Sequence, residues 1–341
     1  MAFVRTTLGD INPSEVGNIM FHEHVLFDIV ATCAEGDRNS TIGMQDRWQI
    51  DYLSNENPAN AHQTDPEIAA NEVLLFLADG GSLIVDQSVY GLARNPTGLA
   101  HIARETGVHL VAAAGSYTKP YLSSAYLNLD IEKLTDLFIR EVNEGIDGTN
   151  IRAGLIGEMG CSWPMAPFER RALQAAAQAA VATGAALSVH PGNDLDACVE
   201  ILDIVEAEGL DPQRIILCHM DRTHPDGVGI GRLLERNANV EWDFFGIEQS
   251  YYWMGEVDLP TDKKRLGLIR KFVDKGHASQ ILISQDICTK TRLRQWGGHG
   301  YGHILRNVVP LMKKLGFEAS LIRQLMRENP LKLLTLKERS A

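Results

Sequence analysis

Eight short apolar runs, each followed by an amphipathic stretch, constrain this chain more than any other feature. The runs cover residues 18–25, 82–87, 108–114, 153–159, 186–190, 214–219, 239–245 and 280–286. Their β-branched or apolar content and their Gly, Asp or His boundaries read as strands. Helical periodicity falls between them, over 67–78, 96–105, 131–144, 168–182, 194–208, 229–236, 262–274 and 302–315, with a last helix over 318–328. The clearest unit runs from Asp194, read as a helix cap, through Leu195, Cys198, Leu202 and Val205 on one face. Gly209 stops that helix, and Asp211-Pro212 turns the chain into the next strand. Alternating strands and helices call for parallel strands with helical crossovers, and eight of each favour an α/β fold of the closed (β/α)8 TIM barrel type over an open sheet.

Composition narrows the functions such a barrel can have. The chain is 45% hydrophobic and 22% charged, as soluble globular proteins are. With 32 Lys+Arg against 44 Asp+Glu its formal net charge is -12, which argues against a nucleic-acid partner. No run reaches the length of about 18 apolar residues that spans a bilayer. The nearest, 175–189, is Ala-rich and broken by Gln178, Thr183 and Gly184. The opening Met1-Ala2-Phe3-Val4-Arg5-Thr6 lacks a signal-peptide pattern, and the five scattered cysteines (Cys33, Cys161, Cys198, Cys218, Cys288) contain no CxxC pair. Both point to a reducing cytoplasm, where the sequon Asn39-Ser40-Thr41 has no role. No linker or compositional break appears, so residues 1–341 read as one domain. The long segment 27–66, which carries Trp48 and Tyr52, interrupts the rhythm after the first strand and in a barrel lies over the C-terminal mouth. A lid and a packed surface excursion are equally open readings of it.

Six residues carry the chemistry. His22 and His24 end the first strand, Glu158 the fourth, His190 the fifth, His219 the sixth and Asp286 the eighth. The spacings are 32 from 158 to 190, 29 from 190 to 219 and 67 from 219 to 286. The first two match one strand–helix unit and the third matches two, so the residues recur at one height, the catalytic rim of a barrel. His22 and His24, two apart on a strand, face the same side. One buried histidine is more often a satisfied core residue than a ligand, but a bland core has no reason to set six such groups at matched strand ends. Imidazole and carboxylate donors select zinc or a similar divalent ion. Four histidines and two carboxylates exceed one tetrahedral ion and suit two ions with a bridging carboxylate.

These residues lie in segments that resemble the phosphotriesterase family of the amidohydrolase superfamily. The segments are Thr7-Leu8-Gly9, Phe21-His22-Glu23-His24, Ile156-Gly157-Glu158-Met159-Gly160, Ser188-Val189-His190, Cys218-His219-Met220-Asp221, Asp243-Phe244-Phe245-Gly246, Ser284-Gln285-Asp286, Gly297-Gly298 and Glu328-Asn329-Pro330. The resemblance covers essentially the whole chain. It implies two divalent ions, zinc first with manganese or cobalt as alternatives. His22, His24 and Asp286 would hold one, His190 and His219 the other, and position 158 would bridge them. Phosphotriesterases proper bridge with a carboxylated lysine and carry an aspartate shortly after the strand-six histidine. This chain has Glu158 at the bridge, which resembles the phosphotriesterase-related branch with its lactonases and an N-acyl-taurine amidase, and Arg222 in place of the aspartate; both departures argue against phosphotriester hydrolysis. Related proteins are often dimers, so a homodimer is implied.

The expected activity is hydrolysis of a lactone, carboxylic ester or amide of a small molecule by a metal-bridging hydroxide, with Asp286 as the catalytic proton carrier. After the eighth strand, Lys290, Arg292 and Arg294 place three cations in five residues at the rim of an acidic chain, which suits an anionic substrate group; Tyr301 joins them as a substrate-binding candidate. A solvated loop is the competing reading. The stretch Tyr251-Tyr252-Trp253-Met254 and Trp163 could wall an apolar pocket or simply pack, and Tyr117 and Lys119 are further pocket candidates. Other activities considered are phosphotriester hydrolysis, a metal-dependent deoxyribonuclease (disfavoured by the acidic charge), a mononuclear deaminase and a non-catalytic metal-binding barrel.

Overall fold

The computed structural model describes residues 1–249, 251–252 and 257–337. Eight parallel strands lie side by side in chain order: β1 (Asn18–Glu23), β2 (Gly81–Asp86), β3 (His109–Ala114), β4 (Leu155–Gly160), β5 (Leu187–His190), β6 (Ile215–Leu217), β7 (Asn239–Trp242) and β8 (Ile281–Ile283). The seam between β8 and β1 is closed without a ladder. Asp286 N donates to His22 O at 3.0 Å and His24 N to Ile287 O at 3.2 Å. The buried Glu23 staples the same seam, its carboxylate accepting from the backbone of Gln285 and of Ile287, each at 3.0 Å. The sheet is thus a nearly closed (β/α)8 barrel.

Alternation along the strands separates two apolar layers. Ile19, Phe21, Leu83, Val85, Val111, Leu155, Ile216 and Leu282 fill the lumen, while Met20, Ile84, Leu110, Ile156, Leu187, Val240 and Ile283 pack outward under the helices. Val4, from the strand Ala2–Thr6, joins the lumen from below, and that strand pairs antiparallel with Gly9–Ile11 and Thr335–Lys337. The helix Ile131–Asn143 buries Leu134, Phe138 and Val142 on one stripe, each contributing about 1.5–3 kcal/mol. Its neighbour Pro167–Thr183 starts on a proline and ends at Gly184, whose φ of +79° only glycine adopts without strain. The Ala-rich run 175–189 therefore belongs to this helix and β5, and among the described residues no helix is long and apolar enough to cross a membrane.

Three expectations are corrected. The helix expected from Asp194 begins at Ala197. Asp194 Oδ1 instead accepts from Asp196 N at 2.8 Å, a local turn that competes with helix, and Leu195 is left 43% exposed. The helix expected over 318–328 runs on as Ala319–Arg323, a wide π turn Gln324–Glu328 and Asn329–Leu334. A π turn (Ile304–Val308) also precedes Val309–Lys314. Each wide turn stands just before a proline, Pro310 or Pro330, which cannot donate to the preceding turn. Finally, β6, β7 and β8 stop short of His219, Asp243 and Asp286. His219 (φ +57°) and Asp286 (φ +45°) leave the ladder in left-handed conformations.

Candidate metal centre

The six rim residues converge. Along β1 the register against β2 shifts between Met20 and Glu23, which breaks the alternation set by Ile19 and Phe21 and lets His22 reach the lumen. On β4, Gly157 permits close approach to β5: a Cβ there would sit 1.9 Å from Ser188 O. The left-handed backbones of His219 and Asp286 each store about 1–3 kcal/mol of strain. Neighbours hold both in place, with His219 N donating to Asp243 Oδ2 at 2.9 Å and Asp286 N to His22 O at 3.0 Å.

Glu158 lies at the centre, and its two oxygens face different histidine pairs. Oε2 is 3.6 Å from both His22 Nε2 and His24 Nε2. Oε1 is 2.5 Å from His190 Nδ1 and 2.8 Å from His219 Nε2, and those two nitrogens are themselves 2.8 Å apart. Asp286 Oδ1 completes the first group, 3.3 Å from His24 Nε2 and 3.8 Å from His22 Nε2. His22, His24, Glu158, His219 and Asp286 are buried, His190 is half-buried, and His22 Nε2 has no hydrogen-bond partner among the described residues. An orphaned imidazole nitrogen aimed at carboxylates, and two further imidazole nitrogens closing on one oxygen, form a donor set that fits two divalent ions.

The far sides of the rings are oriented by oxygens. His22 Nδ1 lies 3.2 Å from Glu241 Oε2, His24 Nδ1 3.0 Å from Ser88 Oγ and His219 Nδ1 2.9 Å from Asp243 Oδ1. Such partners set which nitrogen keeps the proton and free the other for a metal. Burial would raise the Glu158 carboxyl, but His190 and His22 carry it well below the usual range. Asp286 is likewise buried, and His24, His219 and His22 draw it down to about 2. His219, though buried, is pushed up to about 9 by Asp243 and Glu158, whereas burial and Arg222 push His190 down to about 4 against the pull of Glu158. Sequence reasoning passed over Glu241, Ser88 and Glu23. A signal existed for Glu241, which shares a strand face with Asp243 two residues on.

A cavity opens on this centre. Tyr117, Phe244 and Tyr252 wall it, and Ile29, Thr32, Cys33, Ser54 and Ala61 line it from the 27–66 segment. That segment is anchored by antiparallel pairing of Phe27–Asp28 with His62–Gln63. Of the four substrate-binding candidates, Arg292 lines the cavity, its Nη1 donating to Asp286 O at 2.6 Å. Lys290, Arg294 and Tyr301 do not line it. Lys290 Nζ rests over the Trp296 ring, Arg294 is exposed, and Tyr301 is buried behind the centre with its hydroxyl donating to His24 O at 2.8 Å. Lys119 and Trp163 also lie outside the lining, and Tyr251 stacks on Tyr52 instead. Trp253 and Met254 lie outside the described residues. The cavity also contains a residue to which the sequence assigned no role, Arg222.

Comparison with known proteins gives this geometry a context. An N-acetyltaurine hydrolase of Homo sapiens is 37% identical over 344 residues, covering 98% of each chain. A resiniferatoxin-binding protein from Rhodobacter sphaeroides superposes with a TM-score of 0.93 at 31% identity, covering 97% of this chain and 94% of that one. A lactonase from Listeria monocytogenes superposes with a TM-score of 0.80 at 25% identity, covering 98% of this chain and all, 100%, of its own. The phosphotriesterase family matches residues 2–334, and the chain belongs to that family.

Proposed function

We propose that this protein is a binuclear metal hydrolase that cleaves the amide bond of a small N-acyl amino sulfonate or amino acid. The observation that carries the reading is the division of the Glu158 carboxylate, one oxygen toward each histidine pair. In this reading His22, His24 and Asp286 would hold one ion, His190 and His219 would hold the other, and Glu158 would serve both. Zinc is the first choice for these nitrogen and oxygen donors. When bound, the ions supply Lewis acidity at the scissile carbonyl and at water.

The chain's own residues do the rest. Asp286 is held ionised, so its carboxylate accepts the proton of the attacking water and returns it to the leaving amine. Tyr117, Phe244 and Tyr252 shield the carbonyl from bulk solvent. Arg292 supplies a guanidinium to an anionic substrate group at the cavity wall. The amide is preferred over a lactone because the curated relative that matches nearly the whole chain is named for an N-acyl amino sulfonate, whereas the lactonase is more distant. All five cysteines are free thiols, which suits a reducing cytoplasm.

The test is a panel of N-acetyltaurine, N-acetyl-β-alanine, sugar lactones, aryl esters and an aryl phosphotriester, run on zinc-, manganese- and cobalt-loaded protein. Turnover of the anionic amides is expected. Turnover confined to lactones or to the phosphotriester would overturn the amide assignment. Asp286→Asn is expected to lower kcat by about 100- to 10,000-fold while the variant keeps most of its metal. Unchanged turnover in that variant would remove Asp286 from the proton path.

A further inference from the structure

Buried arginines elsewhere in this protein have carboxylate partners. Arg265, fully buried, donates to Asp221 at 2.5 Å, Asp262 at 2.8 Å and Ile247 O at 2.9 Å. Arg94 is paired with Glu141 and Asp147. Arg222 differs. Its side chain is as deeply placed, with the residue only 5% exposed, yet among the described residues its contacts are all neutral groups. Nη2 donates to Pro191 O at 2.8 Å and lies 3.0 Å from His190 Nε2, and Nη1 reaches Thr223 Oγ1 at 3.5 Å. A buried charge without a counter-ion is costly, so the fold keeps this guanidinium only where something else neutralises it.

The surroundings place that counter-ion in the cavity. Arg222 lines it, and the cavity's own acids, Glu158 and Asp286, are committed to the histidines. The contact with His190 is also conditional. His190 turns Nδ1 toward Glu158 and His219. An ion held at Nδ1 would leave the ring proton on Nε2, which would then not accept from Arg222, and the Nη2 hydrogen would be free for another acceptor. Arg292, in the same lining, donates to Asp286 O at 2.6 Å and Cys288 Sγ at 3.6 Å and has no carboxylate partner among the described residues either. Both guanidiniums lie close enough to Tyr252 to oppose the rise that burial imposes on its phenol.

We infer that Arg222 is the residue that selects an anionic substrate, binding its sulfonate or carboxylate within the cavity with Arg292 as second cation. The identity of the scissile bond rests on the amide reading above, whereas the anion site does not. Arginine suits the task because its planar fork matches the oxygens of either acid group.

Calorimetric titration of zinc-loaded protein with ethanesulfonate and with propionate tests the site directly, and the two arms separate sulfonate from carboxylate preference. Arg222→Met is expected to weaken the preferred anion about 10- to 100-fold and to raise KM for N-acetyltaurine by a similar factor. Its loss in kcat/KM for the neutral N-acetylethylamine should be at least about tenfold smaller than its loss for N-acetyltaurine, and Arg222→Lys should recover part of the latter. Equal losses on charged and neutral amides, or anion binding unchanged in Arg222→Met, would overturn the inference. Should Arg222→Met not fold, the wild type alone decides: it must bind ethanesulfonate in preference to neutral dimethyl sulfone, and equal binding would refute the site. If no amide is cleaved but anion binding still falls in Arg222→Met, the amide reading fails and the anion site stands.

Discussion

The two histidine pairs of the centre differ in what stands behind them. His22 and His24 both have an oxygen at Nδ1, from Glu241 and from Ser88, and their side chains are 0% and 3% exposed. In the other pair only His219 is backed this way, by Asp243. His190 has the cation Arg222 behind it and a side chain 13% exposed to the cavity. In one half of the centre both rings are therefore backed by oxygens, and in the other His190 is backed by a cation and is the histidine most open to the cavity that His24, His219 and Asp286 also line. The difference leads us to expect metal retention to depend most on the first half and substrate choice on His190 and Arg222.

The largest effect should come from the group that joins the halves. Glu158→Gln removes the negative charge that His22, His24, His190 and His219 all face. Turnover is expected to vanish and metal content to fall from two ions to one or none, as read by elemental analysis after dialysis. Retention of two ions with full activity would mean that the pairs are held independently and that no bridge exists.

Next come the oxygens behind the first half. Glu241→Gln leaves a weaker acceptor for His22 and is expected to cost about 10- to 100-fold in affinity for the ion on that side. Ser88→Ala, which removes a neutral acceptor from His24, should cost less. Competition with a chromophoric chelator measures both. Equal losses of both ions in Glu241→Gln would break the division drawn above, because the effect would then have crossed through Glu158 or through Asp243, which lies 3.3 Å from His22 Nδ1 and 2.9 Å from His219 Nδ1.

Much of this was legible in the sequence, for a physical reason. A barrel repeats one strand–helix unit, so strand ends recur at regular spacing, and His22, His24, Glu158, His190, His219 and Asp286 could be placed at one height before any coordinates. What surrounds them was less legible because it depends on loops. After β8 the chain folds into two short 3-10 turns, Lys290–Arg292 and Arg294–Trp296. Of three cations in that loop only Arg292 is turned inward, and no periodicity encodes that choice. Tyr301 faces the back of His24 rather than the cavity, since its hydroxyl needs a buried acceptor and finds His24 O. Arg222 was visible as a departure from the family pattern. Its meaning needed the burial and the lack of a carboxylate, which only packing reveals. Asp194 and the π turns failed for local reasons, a competing side-chain turn and a proline that cannot donate.

The smallest effect lies behind the wall next to the His219 side. Asp262 accepts from Gly246 N at 2.9 Å, from Arg265 at 2.8 Å and from His303 Nε2 at 2.7 Å, and so ties the loop after β7 to the helix Asp262–Val273. Burial would raise its carboxyl, but His303, the Gly246 N–H and Arg265 together hold it below the usual aspartate value. The sign follows: the folded chain binds this proton less readily than the unfolded chain. The stabilisation is therefore complete above the ordinary aspartate pKa of about 4 and is lost as pH falls through the depressed folded value. Asp262→Asn should lower unfolding free energy at pH 7 by about 1.5–3 kcal/mol, and the gap to wild type should narrow on acidification. Denaturant titrations at pH 7 and pH 3 check both statements. A gap that widens in acid would show that Asp262 does not buttress this wall through its charge, and the His219 side of the centre would need another support.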